Sequence, residues 1–510
     1  MKRITRRILV GLSLLLGVFL LVGCTATASK DSAKKSSESA TSKSKKTEAT
    51  TGASKTAEYT DPSELKASYD VVIVGGGGAG MTAAIQAHDK GANVAIFEKM
   101  PIAGGNTTKS SGGMNASETK FQQKQGIVDS NEKFYQETLK GGGGTNDPQL
   151  LRYFVDHSAE AIDWLDSIGI TLSNITYSGG MSVKRIHRPA DGSAVGTYLV
   201  PRLEKNVGER NIPFFVNADV QSLTESNGQV DGIKVKLDGK NKTVKAKAVI
   251  VTTGGFGANA KMVEKYQPDL KGYVNTNADG SQGDGIKMIT KIGGATVDLD
   301  QIQIHPTVVQ KNGMLVSEAV RGEGAILVNK NGKRFFNEME TRDKVSAAEM
   351  KQPGKFAYIV FDDALGDRAK QIAFYKEQGF VVEGKTIAEL AKKLKIDPKT
   401  FEKTMSDWNK VVETKKDTEF GRTTAMENKL EKAPYYAIKI APGIHHTMGG
   451  VKINTLTQVL NKKSAPITGL YAAGEVTGGL HGNNRIGGNA VADIIIFGRQ
   501  AGTQAAAFVK

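Results

Sequence analysis

The segment from Asp70 to Glu98 constrains the fold more than any other part of the chain. Asp70-Val71-Val72-Ile73-Val74 is a β-branched run without polar alternation, the pattern of a parallel strand buried on both faces. Gly75, Gly77 and Gly80 follow as G-x-G-x-x-G, Ala79 to about Lys90 reads as a helix, and Asn93–Phe97 reads as a strand ending at Glu98. Strand, glycine turn, helix and strand, with an acid about 20 residues on, form a dinucleotide-binding βαβ unit. The glycines permit a tight turn and close backbone approach, the helix N-terminus stabilises a pyrophosphate, and Glu98 can bind a ribose 2′-hydroxyl. The fingerprint occurs once, which implies one dinucleotide.

The rest of the composition removes other chemistries. Cys24 is the only cysteine of the 510 residues, which excludes disulfides, iron–sulfur clusters, cysteine-ligated zinc and c-type haem attachment within this chain. The seven histidines show no metal-ligand spacing, so no metal is expected and the redox chemistry falls to an organic cofactor. A net charge of +15 invites a nucleic-acid reading, but its distribution opposes it. Lys2, Arg3, Arg6 and Arg7 carry four of those charges, and residues 25–60 add three more. The remainder is spread thinly, with no basic block or interleaved aromatics, so no nucleic-acid partner is expected.

The N-terminus reads as an export signal. A basic start precedes an apolar run from Ile8 to Val22, short for a membrane span of about 20 residues but suited to a signal-peptide core. Leu21-Val22-Gly23-Cys24 resembles the lipobox of bacterial lipoproteins, implying cleavage after residue 23 and a lipid anchor on Cys24. Thr5-Arg6-Arg7-Ile8-Leu9 also resembles a twin-arginine signal. Residues 24–68 are rich in Ser, Thr and Lys and read as a disordered tether holding the folded part at the extracytoplasmic face of the cell membrane.

Beyond the βαβ unit, Asp147 and Pro148 read as N-cap and first residue of a helix carrying Leu151, Phe154, Val155, Ile162 and Leu165 on one side. Val244–Thr252 reads as a strand, residues 385–413 as two amphipathic helices around Asp397-Pro398, and Asn489–Val509 as a helix. The stretch Gly104–Asn115 is dense in small and hydrogen-bonding residues, which suits backbone lying against a flat ring.

At these residues the chain resembles the flavoprotein subunit of the fumarate reductase/succinate dehydrogenase family, in its soluble flavocytochrome c branch. The resembling segments are Val72–Glu98, Gly104–Ala116, Thr253–Phe256, Gly283-Asp284-Gly285, Gly474–Gly479 and Asn484–Gly498. The resemblance implies an α/β fold, a Rossmann-like FAD-binding domain (69–304 and 440–510) interrupted by a smaller α+β capping domain (305–439). It implies FAD at Gly75, Gly77, Gly80, Glu98, Asn106, Thr107, Ser111, Gly112, Gly113, Asn115, Val220, Gly254, Asp284, Glu475, Arg485, Ala490 and Val491. Relatives that bind flavin covalently do so through a His in the Gly104–Asn115 segment; none stands here, so the FAD is expected to be non-covalent.

Four further segments match family motifs: Gln303–Thr307, Ser317–Gly322, Thr341–Lys344, and the pair His445–Gly450 with His481–Gly488. By resemblance, Arg342 is the proton donor and Glu318 with Arg321 resupplies its proton from solvent. His305, Ser317, His445, Arg485 and Gly488 hold the substrate. Arginine is normally too basic to act as an acid, so the role requires desolvation beside another cation, here Arg485. His446 is expected to turn away from the site, since neighbours on an extended segment point to opposite faces. His88, His157 and His187 read as ordinary. Ser317 stands where the family usually has Thr, and Leu315 where Met is common.

The implied activity is FAD-dependent reduction of fumarate to succinate, a small dicarboxylate, with electrons from a separate exported flavoprotein or membrane quinol system. A reductase of another unsaturated acid, of urocanate or acrylate type, is the alternative within enzymes. Urocanate-type relatives replace the His of the H-P-T motif, which His305 retains. A flavin electron-relay lipoprotein is the alternative outside catalysis, and it would not need Glu318, Arg321 and Arg342 in family order.

Overall fold

The structure is a computed structural model that describes residues 59–510. The expected signal peptide, the Cys24 anchor and nearly all of the tether lie outside the described residues.

The strand Ser68–Val74 forms as expected and sits at the centre of an eight-stranded sheet. Val94–Phe97 and Lys240–Val251 flank it in parallel, Phe214–Phe215 extends one side, and Pro466–Ala472 pairs in parallel beyond Lys240–Val251. All seven positions from Val71 to Gly77 except Gly77 are buried, as a central parallel strand and its turn require. The turn works because Gly75 has φ +107, and because a β-carbon at Gly80 would lie 2.0 Å from the Gly75 carbonyl oxygen. The helices Gly78–Asp89 and Asn489–Val509 pack together over this sheet, both starting at its C-terminal edge.

A second, six-stranded sheet carries the middle of the chain. Its strands include Ile302–Val309, Tyr435–Thr447, Ala357–Asp362 and Ile326–Val328, all antiparallel. Alternation divides its side chains between two apolar clusters. Ile359, Phe361, Ile438 and Ile440 join one with Leu365 and Tyr375, while Val360, Ala437 and Ile326 join the other with Trp408 and Phe401. The helices Ile387–Leu394 and Pro398–Thr414 cover the second face, capped by Thr386 and Asp397. Positions 305 and 440, the expected domain boundaries, both fall inside strands of this sheet.

One expected helix is two. Pro148–Asp156 begins at the Asp147 cap as read, but the chain breaks at His157 and restarts as Ser158–Ser167. The apolar side survives the break, with Leu151, Phe154, Val155, Ile162 and Leu165 all buried. Periodicity reports which side faces the core, and a one-residue kink leaves that side intact.

Candidate active site

A cavity of about 630 Å³ runs between the sheets, within the size range of about 300–1,000 Å³ usual for ligand sites. One end lies over the glycine turn. Of the residues expected to hold FAD, Gly75, Gly77, Glu98, Asn106, Thr107, Ser111, Gly112, Gly113, Val220, Gly254, Asp284, Glu475, Arg485, Ala490 and Val491 line the cavity. Gly80 and Asn115 do not. Gly80 instead packs the first helix onto the strand, and Asn115 donates to the Gly487 carbonyl at 2.7 Å, fixing the turn before the last helix.

These residues fit a dinucleotide. Two helix N-termini, at Gly78 and Asn489, open on the cavity and favour negative charge there. At Gly77 a β-carbon would meet nothing nearer than the Gly104 carbonyl at 3.8 Å, so its bareness leaves room for a ligand rather than for packing. Glu98 accepts the amides of Gly76 and Met100 at 2.7 and 2.8 Å, which holds its carboxylate at the cavity wall. Glu475 accepts Asn106 Nδ2 at 2.9 Å and the Thr447 amide at 3.1 Å. Burial raises both carboxyls above their ordinary range.

The other end is cationic. Arg342, first residue of the helix Arg342–Met350, donates from Nη2 to Glu318 Oε2 at 2.8 Å and from Nη1 to Gln303 Oε1 at 3.0 Å. Arg321 Nη2 lies 3.5 Å from Glu318 Oε1. Burial pushes the Glu318 carboxyl up, but Arg342 and Arg321 outweigh it and hold the acid below its usual range. Arg485 is buried, and desolvation together with Arg342 lowers it well below the usual guanidinium range. Arg342 and Arg485 thus bear on one another across the cavity that both line.

Pairing of Ile302–Val309 with Tyr435–Thr447 sets His305 beside His445, their ring centroids 5.2 Å apart. The Thr307 amide donates to His305 Nδ1 at 3.2 Å, which leaves the proton of the neutral ring on Nε2. That Nε2 has no partner among the described residues. His445 Nδ1 shares a hydrogen bond of 2.7 Å with Thr276. Burial, followed by Arg342, lowers both histidines well below the ordinary value, so each is a neutral hydrogen-bonding group. Glu318, Arg342, His445, Arg485 and Gly488 line the cavity; His305, Ser317 and Arg321 stand behind its wall. The Ser317 hydroxyl donates to the Ser111 carbonyl at 3.1 Å and accepts the Ala319 amide at 3.3 Å, capping the Glu318–Gly322 helix.

Two expectations are corrected. His446 does not turn away: it lines the same cavity as His445, with its ring 5.3 Å from that of His481. Gln303 pairs with His446 and Ile304 with Ile444, so His445 is the extra residue of a β-bulge, which breaks the alternation. Arg321 does not itself reach solvent, because it is wholly buried. Gln303 was given no role from sequence, yet it holds Arg342 while donating to Asn484 Oδ1 and the Arg485 carbonyl, each at 2.7 Å. Its place two residues before His305 on a strand was the available signal. His187 is ordinary as read, bonded to the Arg185 carbonyl and Thr119 hydroxyl.

Residues 70–491 match the family described as FAD binding domain. The chain belongs to this family. It is 46% identical over 443 residues to fumarate reductase (cytochrome) of Shewanella frigidimarina, covering 86% of this chain and 77% of that protein. It is 56% identical over 440 residues to NADH:fumarate oxidoreductase of Klebsiella pneumoniae, spanning 86% of this chain but only 48% of that longer protein. Among solved structures, the open conformation of a flavocytochrome c3 fumarate reductase matches with a TM-score of 0.71 at 43% identity, over 88% of this chain and 79% of that one. This flavoprotein is thus an FAD-dependent oxidoreductase of the flavocytochrome c branch, with the α/β fold expected of it.

Proposed function

We propose that this flavoprotein reduces the carbon–carbon double bond of fumarate, giving succinate. The observation that carries the reading is the buried Arg342–Glu318–Arg321 chain opening onto a cavity shared with Arg485 and His445. The names of the Shewanella and Klebsiella relatives support fumarate as the acid. Bound FAD, non-covalent for want of a histidine between Gly104 and Asn115, supplies the hydride when reduced.

The chain's own residues do the rest. Arg485 binds a carboxylate with a planar fork, and His445, backed by His305, adds a neutral donor for the second. Arg342 delivers a proton to the carbon opposite the one reduced, and Glu318 returns a proton to Arg342 across their 2.8 Å contact. The middle sheet acts as a cap whose closure excludes water. We place the protein at the extracytoplasmic face of the membrane, anchored through Cys24, with a separate exported flavoprotein or quinol system as electron donor.

An anaerobic assay with reduced viologen against a panel of unsaturated acids tests this. Fumarate should be reduced fastest. Preference for urocanate or an acrylate would replace the substrate, and flavin oxidation by no acid would leave an electron relay.

A further inference from the structure

The proton path proposed above stops inside the protein, because Arg321 is wholly buried. Two carboxyl groups bear on Arg321 besides Glu318: Glu338 and Glu349. They differ in kind. Glu338 Oε1 accepts Arg334 Nε at 2.7 Å, and its Oε2 accepts Arg334 Nη2 at 2.8 Å and Arg422 Nη1 at 3.2 Å. Burial pushes Glu338 up, but those guanidiniums outweigh it and hold the carboxyl at about 2. A proton on Glu338 would break a closed ion network, so it stays ionised.

Glu349 has none of these bonds. It is wholly buried, and neither carboxyl oxygen has a partner among the described residues. Arg342, Ser346 and Glu349 fall at i, i+4 and i+7 of the helix Arg342–Met350, one above another on a single face. Along this face lie buried polar atoms with no partner among the described residues: Arg342 Nε, Ser346 Oγ, both Glu349 oxygens and, from the neighbouring helix, Arg321 Nε. Buried polar atoms are nearly always paired, so a strip of five marks a place where protons or water pass rather than a packed core. The helix ends directly after Glu349, and Lys351, Pro353, Gly354 and Lys355 of the following turn are exposed. Burial raises Glu349 well above the ordinary carboxyl value, with the Arg321 charge opposing it. A carboxyl shifted in that direction keeps its proton more readily than Glu338 does.

We infer that Glu349 is the outer carboxyl of the proton path, carrying protons from solvent at the 351–355 turn to Arg321. In each turnover Arg321 passes one proton to Glu318 as Glu318 passes one to Arg342. Arg321 is refilled from the Glu349 carboxyl, and Glu349 takes one proton back from water. Every group returns to its starting state, and nothing in the path is oxidised or reduced. Arg321 and Glu349 form no direct ion pair, so a bridging water carries that step.

The inference rests on Arg342 as proton donor, and its test separates the two. In the full-length holoenzyme, Glu349→Gln should lower kcat about tenfold with KM for fumarate changed less than about twofold. Its solvent deuterium isotope effect should exceed that of the wild type, and Glu349→Asp should recover part of the rate. Infrared spectra of the wild type at neutral pH should show a protonated-carboxyl band that Glu349→Gln lacks. An active wild type with an unchanged Glu349→Gln overturns the inference alone, as does an ionised Glu349 at neutral pH. Should Glu349→Gln fail to fold, the infrared band of wild-type protein and the isotope effect of Glu349→Asp still decide. A flavin-loaded wild type that reduces no acid sinks the functional reading, and this path with it.

Discussion

Arg342 Nη2 donates to Glu318 Oε2 at 2.8 Å across 24 residues of sequence, and both side chains are buried. A surface ion pair at this distance would contribute little. Enclosed beside Arg485 and Arg321, the same contact makes Glu318 the one group placed to refill Arg342. Arg342→Ala should therefore abolish fumarate reduction while FAD stays bound and reducible by viologen. Loss of a general acid typically costs about 10²–10⁴-fold, and a fall of less than about tenfold would remove Arg342 from that role. Arg342→Lys should keep slight activity, since an ammonium can give a proton but lacks the planar fork.

Glu318→Gln and Arg485→Met should separate proton supply from substrate grip. Glu318→Gln should act mainly on kcat, because it breaks the link to Arg342 without removing a cation from the cavity. Arg485→Met should also raise KM, since Arg485 lines the cavity proposed to bind substrate. Steady-state kinetics with equal effects on both constants in the two variants would contradict the division.

The flavin should leave the protein on acid precipitation, because no His stands between Gly104 and Asn115. Absorbance of the supernatant and mass analysis of the released cofactor provide the check. Flavin retained by the denatured chain, or FMN in its place, would count against the assignment.

The chain is already packed against the flavin-binding sheet at Tyr59 and Thr60. The Tyr59 hydroxyl donates to Glu204 at 2.8 Å and accepts the Ala103 amide at 2.9 Å, while the Thr60 amide donates to the Phe214 carbonyl at 2.9 Å. A protein starting at Tyr59 should keep full activity, and one starting at Leu65 should lose ~2 kcal/mol of stability to denaturant. In cells, Cys24→Ser should release the protein from the membrane; unchanged retention would refute the anchor.

Stability should fall as pH drops below 6.5, in part through His187. Burial pushes His187 down from 6.5 to about 4. Between those values the unfolded chain binds a proton that the folded chain does not, so folding loses ~1.4 kcal/mol per pH unit. Above 6.5 the effect is absent. Denaturant titrations of wild type and His187→Gln should differ in slope over that window by one proton, amounting to ~2 kcal/mol at pH 5.

The unbroken apolar run at Val71–Val74, the glycine spacing and the acid at Glu98 determined the dinucleotide unit by themselves, because each is a local demand of backbone and burial. The last helix was legible to its ends, Asn489–Val509, for the same reason. The active site was legible only as motifs whose roles came through resemblance. Its geometry was decided by tertiary pairing: His305 meets His445 through two strands more than a hundred residues apart, in a register no local pattern specifies. The bulge at His445 turned His446 into the cavity against simple alternation, because one extra residue shifts every later side chain to the other face. The break at His157 and the enclosure of Arg321 have the same origin. Periodicity says that a residue faces inward, but only the packed neighbours determine whether it meets water, a carboxylate or another cation.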